Sequence, residues 1–273
     1  MEAALGRDRF KLMTITHVDT STGVLADVPG LAALARRYDT LCVVDGVCSV
    51  GGEELRMTEW GVDLALTASQ KAVGVPPGLA LLVAGPRALE AFHRRKMPVA
   101  SYYADWGNWL PIMQAYEARK PGYFGTPAVN LVWALNVSLG QILAEGLEAR
   151  FARHRALGRA CQAAIVALGL GQVPLRPELA AHTMTAPRYP QGVTGADLLP
   201  RVQAAGATLA GGLHPAIKAE YFRIGHMGAA TLGDLLATIG ALETGLRQCG
   251  YRFEGGAGVA AAMTAFHNTA VAD

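Results

Sequence analysis

The sequence predicts an α/β protein: a mostly parallel sheet with helices on both faces over residues 1–143, followed by a smaller α+β domain over 144–273. Three observations carry this. Short unbroken apolar runs recur in the first half, and stretches with helical spacing alternate with them, as expected of strands buried on both faces and joined by helices. Near residue 144 the pattern changes to longer helical stretches around one weak strand. The 273 residues are long enough for two domains of ~100–200 residues each.

Taken in order, residues 10–16 (FKLMTIT) form a strand candidate that runs into the turn THVDTSTG. LAALARRYDT spaces its apolar residues for a helix, and LCVV is a short apolar run stopped by Asp45. Ala65-Leu66 precedes Lys71, and LALLVA at 79–84 precedes the helical ALEAFHRRK. Residues 98–127, rich in aromatics and proline, show little regular period and are expected to form a long irregular loop, functional or covered by a partner. Residues 128–168 read as two long helices with Gly146 between or within them. LLPRVQAAGATLAG and LGDLLATIGALETGLRQ read as further helices around a weak strand at 221–224, and an Ala/Gly-rich tail follows Gly250.

Composition narrows the function classes. Lys+Arg number 24 against 22 Asp+Glu, so no excess of one sign points to nucleic acid or another polyanion. The four cysteines, Cys42, Cys48, Cys161 and Cys249, show no C-x-x-C spacing and are read as reduced, mostly buried small hydrophobes, not zinc ligands. The N-terminus shows no secretory pattern, and no uninterrupted apolar run reaches the ~20 residues of a membrane span. The C-terminal Val-Ala-Asp is not a peroxisomal address. An intracellular, soluble protein is expected, in cytoplasm, peroxisome or mitochondrion without distinction.

Two residues stand out together. Asp45 ends one buried strand and Lys71 follows another, and in open α/β sheets ligands collect at strand ends. Singly, Asp45 would serve as a helix or turn cap and Lys71 as a solvated loop charge. As a pair they fit pyridoxal phosphate, PLP, held through its aldehyde by the lysine amine, with the carboxylate on the pyridinium nitrogen.

Four segments, VVDGVCSVGG, DLALTASQKAVGVPPGLA, YFGTP and YFRIGHMG, then extend the pattern from about Met13 to about Gly250. Together they resemble the class V, fold-type I PLP enzymes, and among them the alanine–glyoxylate (serine–pyruvate) aminotransferases. The resemblance implies a fold-type I large domain with an incomplete sheet and transamination of a small amino acid, alanine or serine, with glyoxylate or pyruvate. It makes Lys71 the catalytic, cofactor-bearing residue and pairs Asp45 with the pyridinium nitrogen. Val47 would pack on the ring, Thr20 would reach the cofactor through its hydroxyl, and Gln70 would reach the phosphate. Arg223 would clamp the substrate carboxylate, a task suited to the guanidinium fork. Tyr123 and Thr126 would reach the phosphate of the other subunit's cofactor in a homodimer. His226 and His17 are given structural roles.

The resemblance also implies that this chain starts after the family's Gly-rich phosphate cup and early strands. An exposed sheet edge and uncovered apolar surface are therefore expected. A catalytically weak or silent chain acting as an interaction or dimerisation partner is the alternative reading. A nucleotide-binding α/β domain is disfavoured because no G-x-G-x-x-G opens a helix after a strand, and cysteine desulfurase chemistry because Cys161 and Cys249 lie in helical patterns.

Overall fold

The computed structural model describes residues 1–270; the C-terminal Val-Ala-Asp assessed above as a targeting signal lies outside the described residues. After a single turn, α1 (Glu2–Leu5), come β1 (Leu12–Thr16), α2 (Val28–Arg37), β2 (Leu41–Asp45), α3 (Met57–Trp60), β3 (Leu64–Ala68) and β4 (Ala80–Ala84). The strands lie side by side in the order β1-β2-β3-β4, the first three parallel and the last antiparallel. Asp27 caps α2 by accepting the Gly30 N–H, and Pro29 sits in its first turn, where no intrahelical donor is lost. The helix buries Val28, Ala32, Leu34 and Ala35 against Met13, Ile15, Cys42 and Val44 of the sheet. At ~1.5–3 kcal/mol per large aliphatic side chain, this contact seats α2 on β1 and β2, which their own parallel ladder joins.

The expectation of strands buried on both faces holds for the alternate residues only. β1 alternates exposed and buried, and in β4 Leu82 and Val83 are 50% and 61% exposed. Nothing within the described chain covers these positions, which agrees with the expected uncovered apolar surface and sheet edge.

α4 (Pro86–His93) and α5 (Trp106–Glu117) follow. α5 corrects the reading of residues 98–127 as one irregular loop. The Asp105 side chain caps the helix at Gly107 N, and Pro111 costs it one internal hydrogen bond while its ring faces solvent. The long helices α6 (Val129–Glu145) and α7 (Leu147–Ala167) break at Gly146, whose φ of 83° is in the region that favours glycine.

The second sheet, β5-β7-β6, is antiparallel: β5 (Met184–Thr185), β6 (Ala210–Gly211) and β7 (Phe222–Gly225). α8 (Gly195–Ala204) stops at Ala204, so the helix expected over 198–211 ends early and its last residues form β6. α9 (Leu232–Gln248), opened by a Thr231/Asp234 capping box, and α10 (Ala257–Ala270) complete the chain. The core here is built by Leu157, Ile165, Leu198, Phe222, Ile239 and Leu246.

Candidate active site

Register brings three strand ends together. Thr16 pairs with Asp45 and Asp45 with Leu66, so the segments leaving β1, β2 and β3 emerge at one edge of the sheet. These segments carry Thr20, Asp45 with Val47, and Gln70 with Lys71.

The exit from β2 is tight. Gly46 N–H donates to the Leu66 carbonyl, and the Gly46 carbonyl accepts from Thr67 Oγ1. A side chain at Gly46 would lie 2.5 Å from Val50 Cγ2 and 3.2 Å from the Leu66 oxygen, so glycine allows the close approach. Asp45 Oδ1 accepts the Val47 N–H at 3.0 Å. The exit from β3 folds back as a compact turn: Ser69 Oγ donates to the Pro76 carbonyl and accepts from Leu79 N–H, while Gly74 N–H donates to the Lys71 carbonyl. Lys71 is half-buried, and its ammonium has no hydrogen bond or ion pair among the described residues; Gln70 is exposed.

Thr20 and Arg223 meet. Arg223 Nη1 donates to the Thr20 carbonyl at 3.1 Å and its Nε to the Gly211 carbonyl at 2.8 Å. Thr20 Oγ1 lies 2.8 Å from Cys48 Sγ, which ties the first turn to the loop after Asp45. Tyr123 and Thr126 lie elsewhere, on the exposed segment between α5 and α6. Their hydroxyls pair with each other at 2.9 Å, Tyr123 is 73% exposed, and neither bonds to the strand-end cluster of its own chain.

Sequence reasoning missed the groups that hold these loops. Arg150, buried on α7, donates from Nε to the Gly51 carbonyl and from Nη2 to the Ala72 carbonyl, clamping the loop after Asp45 to the turn after Lys71. Its Nη1 pairs with Glu145. Arg153, one turn on, also pairs with Glu145 and donates to the Gly228 and Ala230 carbonyls. The i,i+3 spacing of the two arginines was the one available signal, since it puts both on one helix face.

Glu53 is a second missed residue. Its buried carboxylate accepts from the His182 backbone N–H and lies 2.9 Å from His182 Nδ1. Burial alone would raise the Glu53 pKa, but the hydrogen bonds and charge of His182 outweigh it and hold the carboxyl below its ordinary value. Nearby, burial lowers His154 to about 4 and His226 to about 4, so both are neutral at pH 7. His154 Nε2 accepts the Gly228 N–H, and His226 Nε2 lies 2.9 Å from Thr185 Oγ1. The cysteines are free thiols, and burial pushes Cys161 up to about 12, which removes it as a nucleophile at neutral pH.

Comparison with known proteins decides the family. The model of the class V aminotransferases matches residues 1–234. The chain belongs to the class V aminotransferases. The alanine–glyoxylate aminotransferase 1 of Saccharomyces cerevisiae is 40% identical over 230 residues, which cover 82% of this chain and 59% of that protein. The serine–glyoxylate aminotransferase of Arabidopsis thaliana is 37% identical over 259 residues, 93% of this chain and 62% of that one. Thus the chain spans about three-fifths of the length of these curated relatives. Among solved structures, the pyridoxamine–pyruvate aminotransferase of Mesorhizobium loti superposes with a TM-score of 0.90 at 27% identity, covering 98% of this chain and 68% of that one. The fold is therefore that of the fold-type I aminotransferases, and the family implies PLP. Among the described residues, no helix is long and apolar enough to cross a membrane, and no group of His, Cys, Asp or Glu could hold a metal ion.

Proposed function

We propose that this class V chain contributes the lysine-bearing part of a PLP-dependent aminotransferase that passes an amino group from alanine or serine to glyoxylate or pyruvate. The observation that carries the reading is the meeting of Asp45, Lys71 and Thr20 at adjacent strand ends, with Arg223 bonded to Thr20. The pocket's own chemistry fits the cofactor. A half-buried carboxylate whose one hydrogen bond is local, near a half-buried ammonium that bonds to nothing described, suits a ligand that presents a protonated ring nitrogen and an aldehyde.

Lys71 would hold the cofactor, Asp45 would keep its ring nitrogen protonated, Val47 would pack on the ring, and Thr20 and Gln70 would bind its polar edge and phosphate. Bound PLP would supply an electron sink for the pair released at the substrate Cα. Arg223 then fixes the substrate carboxylate through the guanidinium edge not used by Gly211 and Thr20. As a free amine, Lys71 Nζ would be the base that takes the substrate Cα proton and the acid that gives it back. As the family resemblance implies, Tyr123 and Thr126 would reach the cofactor phosphate of a second copy of the chain; in their own chain both are exposed and bond to each other, not to the strand-end cluster.

Incubation with PLP, borohydride reduction and peptide mass analysis test this reading. PLP mass on the Lys71 peptide is expected, together with transfer from alanine or serine to glyoxylate that is lost in Lys71→Ala. Labelling spread over surface lysines, or full activity in Lys71→Ala, would remove Lys71 from the chemistry. A chain that binds PLP at Lys71 but transfers nothing would favour the interaction-partner reading.

A further inference from the structure

Tyr221 is fully buried just before β7, yet its hydroxyl makes three polar contacts. It accepts the Leu213 and His214 N–H groups, both at 2.9 Å, and donates to the Ser21 carbonyl. Arg223 lies two residues on, so in an extended segment its side chain leaves from the same face. The carbonyls that grip the Arg223 guanidinium belong to Thr20, adjacent to Ser21, and Gly211, two residues before Leu213. One hydroxyl thus pins the neighbours of both carbonyls. The loop between them lies on the tyrosine ring: a Cβ at Gly212 would stand 2.7 Å from Tyr221 Cε1 and 2.6 Å from the Lys218 carbonyl oxygen.

We propose that Tyr221 is a positioning residue: its hydroxyl fixes the plane of the Arg223 guanidinium and so sets the affinity for a substrate carboxylate. The proposal rests on the aminotransferase reading for the identity of the ligand, but the geometry of Arg223 stands apart from it. A carboxylate is bound by two parallel N–H donors only when the guanidinium plane is held in its direction. Arg223 is held by two carbonyls on separate segments, Thr20 from the turn after β1 and Gly211 from β6. Gly211 is tied to β7 by the β6 ladder, but without the Tyr221 hydroxyl nothing described joins Ser21 to Leu213 and His214, so the Thr20 carbonyl can shift relative to the Gly211 carbonyl. A tyrosine that merely fills the core would leave Arg223 unchanged when only its oxygen is removed.

Tyr221→Phe keeps the ring and removes that oxygen. Two measurements on the PLP-loaded chain decide the matter: solvent exchange of the Arg223 Nε–H by NMR, and the dissociation constants of 2-methylalanine, which has no Cα hydrogen to lose, and of its amide. Exchange is expected to rise about tenfold, and the dissociation constant of the acid by about tenfold, the scale of one hydrogen bond, with the amide little changed. Unchanged Arg223 exchange and an unchanged acid-to-amide ratio in a less stable protein would overturn the proposal. If the parent chain binds no PLP, the aminotransferase reading fails by itself, and Arg223 exchange in the variant still decides the role of Tyr221. Should Tyr221→Phe fail to fold, Gly212→Ala, which pushes the loop off the ring, should change Arg223 exchange in the same direction; no change there would refute the proposal.

Discussion

Replacing Arg150 with methionine tests whether the α7 clamp sets the geometry of the Lys71 turn. The substitution keeps a long side chain but removes the donors to the Gly51 and Ala72 carbonyls and the pair with Glu145. Ala72 is fully buried, so its carbonyl would lose its partner without water to replace it, costing ~1–3 kcal/mol. Gly51 is half-buried and would recover part of its loss from solvent, while Glu145 keeps Arg153. Removing a buried guanidinium returns some desolvation energy, so the net expectation is about 2–4 kcal/mol. For a chain of this size that lowers the melting temperature by roughly 4–16 °C. Because the freed carbonyl follows Lys71 directly, borohydride-trapped PLP on Lys71 should fall as well. Arg153→Met, which leaves both site loops clamped, should spare the PLP labelling. A melting temperature within ~1 °C of the parent, or equal labelling losses in the two variants, would refute the argument.

Acid should unfold the chain from the histidine cluster. His154 and His226 are held at about 4 when folded and titrate near 6.5 when unfolded, so the stability they confer is complete above pH ~6.5 and is lost as pH falls from there towards 4. The slope approaches ~1.4 kcal/mol per pH unit for each, and a urea midpoint that is flat between pH 7 and 5 would contradict it. Glu53, with its lowered pKa, contributes stability above its ordinary unfolded value and loses it as pH falls further, so the decline continues on the acid side. Arg223→Lys should raise KM for both carboxylate substrates by about tenfold or more with a smaller change in kcat, because an ammonium cannot reproduce the bonds to Gly211, Thr20 and a ligand together; equal kinetics would displace Arg223 from the site. Tyr123→Phe should weaken PLP binding by about tenfold without moving the melting temperature, since among the described residues that hydroxyl bonds only to Thr126, and an unchanged PLP affinity would remove it from the phosphate.

The α/β fold was legible because its signal is periodic. Residues 41–45 and 64–68 form strands that end at Asp45 and just before Lys71, and the helical spacing at 31–40 becomes most of α2. Residues 98–127 misled because Pro111 and the surrounding aromatics read as a loop, whereas Asp105 supplies a cap and α5 tolerates one missing donor. The tail of the predicted helix over 198–211 failed for a tertiary reason: Ala210 and Gly211 have no strand propensity of their own and become β6 only by pairing with Arg223 and Phe222. The candidate side chains lie in short local motifs, which a sequence displays. The groups that orient them do not, because Arg150, Arg153, Tyr221 and Glu53 act on backbone atoms of segments far away in the chain.

That division has a mechanical consequence. Three of those residues, with Arg223, join a segment of the first sheet's strand-end edge to α7, to the second sheet or to the loops beside it: Arg150 to Gly51 and Ala72, Glu53 to His182, Tyr221 and Arg223 to Ser21 and Thr20. Thr183 Oγ1 adds a bond to the Cys48 carbonyl, and Ala181 N–H one to the Gly23 carbonyl. Apart from Glu53, which accepts from the His182 N–H, the seam is therefore built from backbone acceptors, which survive substitution of the residues that own them, and from a few buried side-chain donors, which do not. Lys71 sits on one side of the seam and Arg223 on the other, so the distance between the proposed amine chemistry and the proposed carboxylate grip is set by these donors. Substitutions along the seam should for this reason alter KM and cofactor labelling together, while core substitutions of equal destabilisation around Leu157 or Ile239 should lower stability and leave both unchanged.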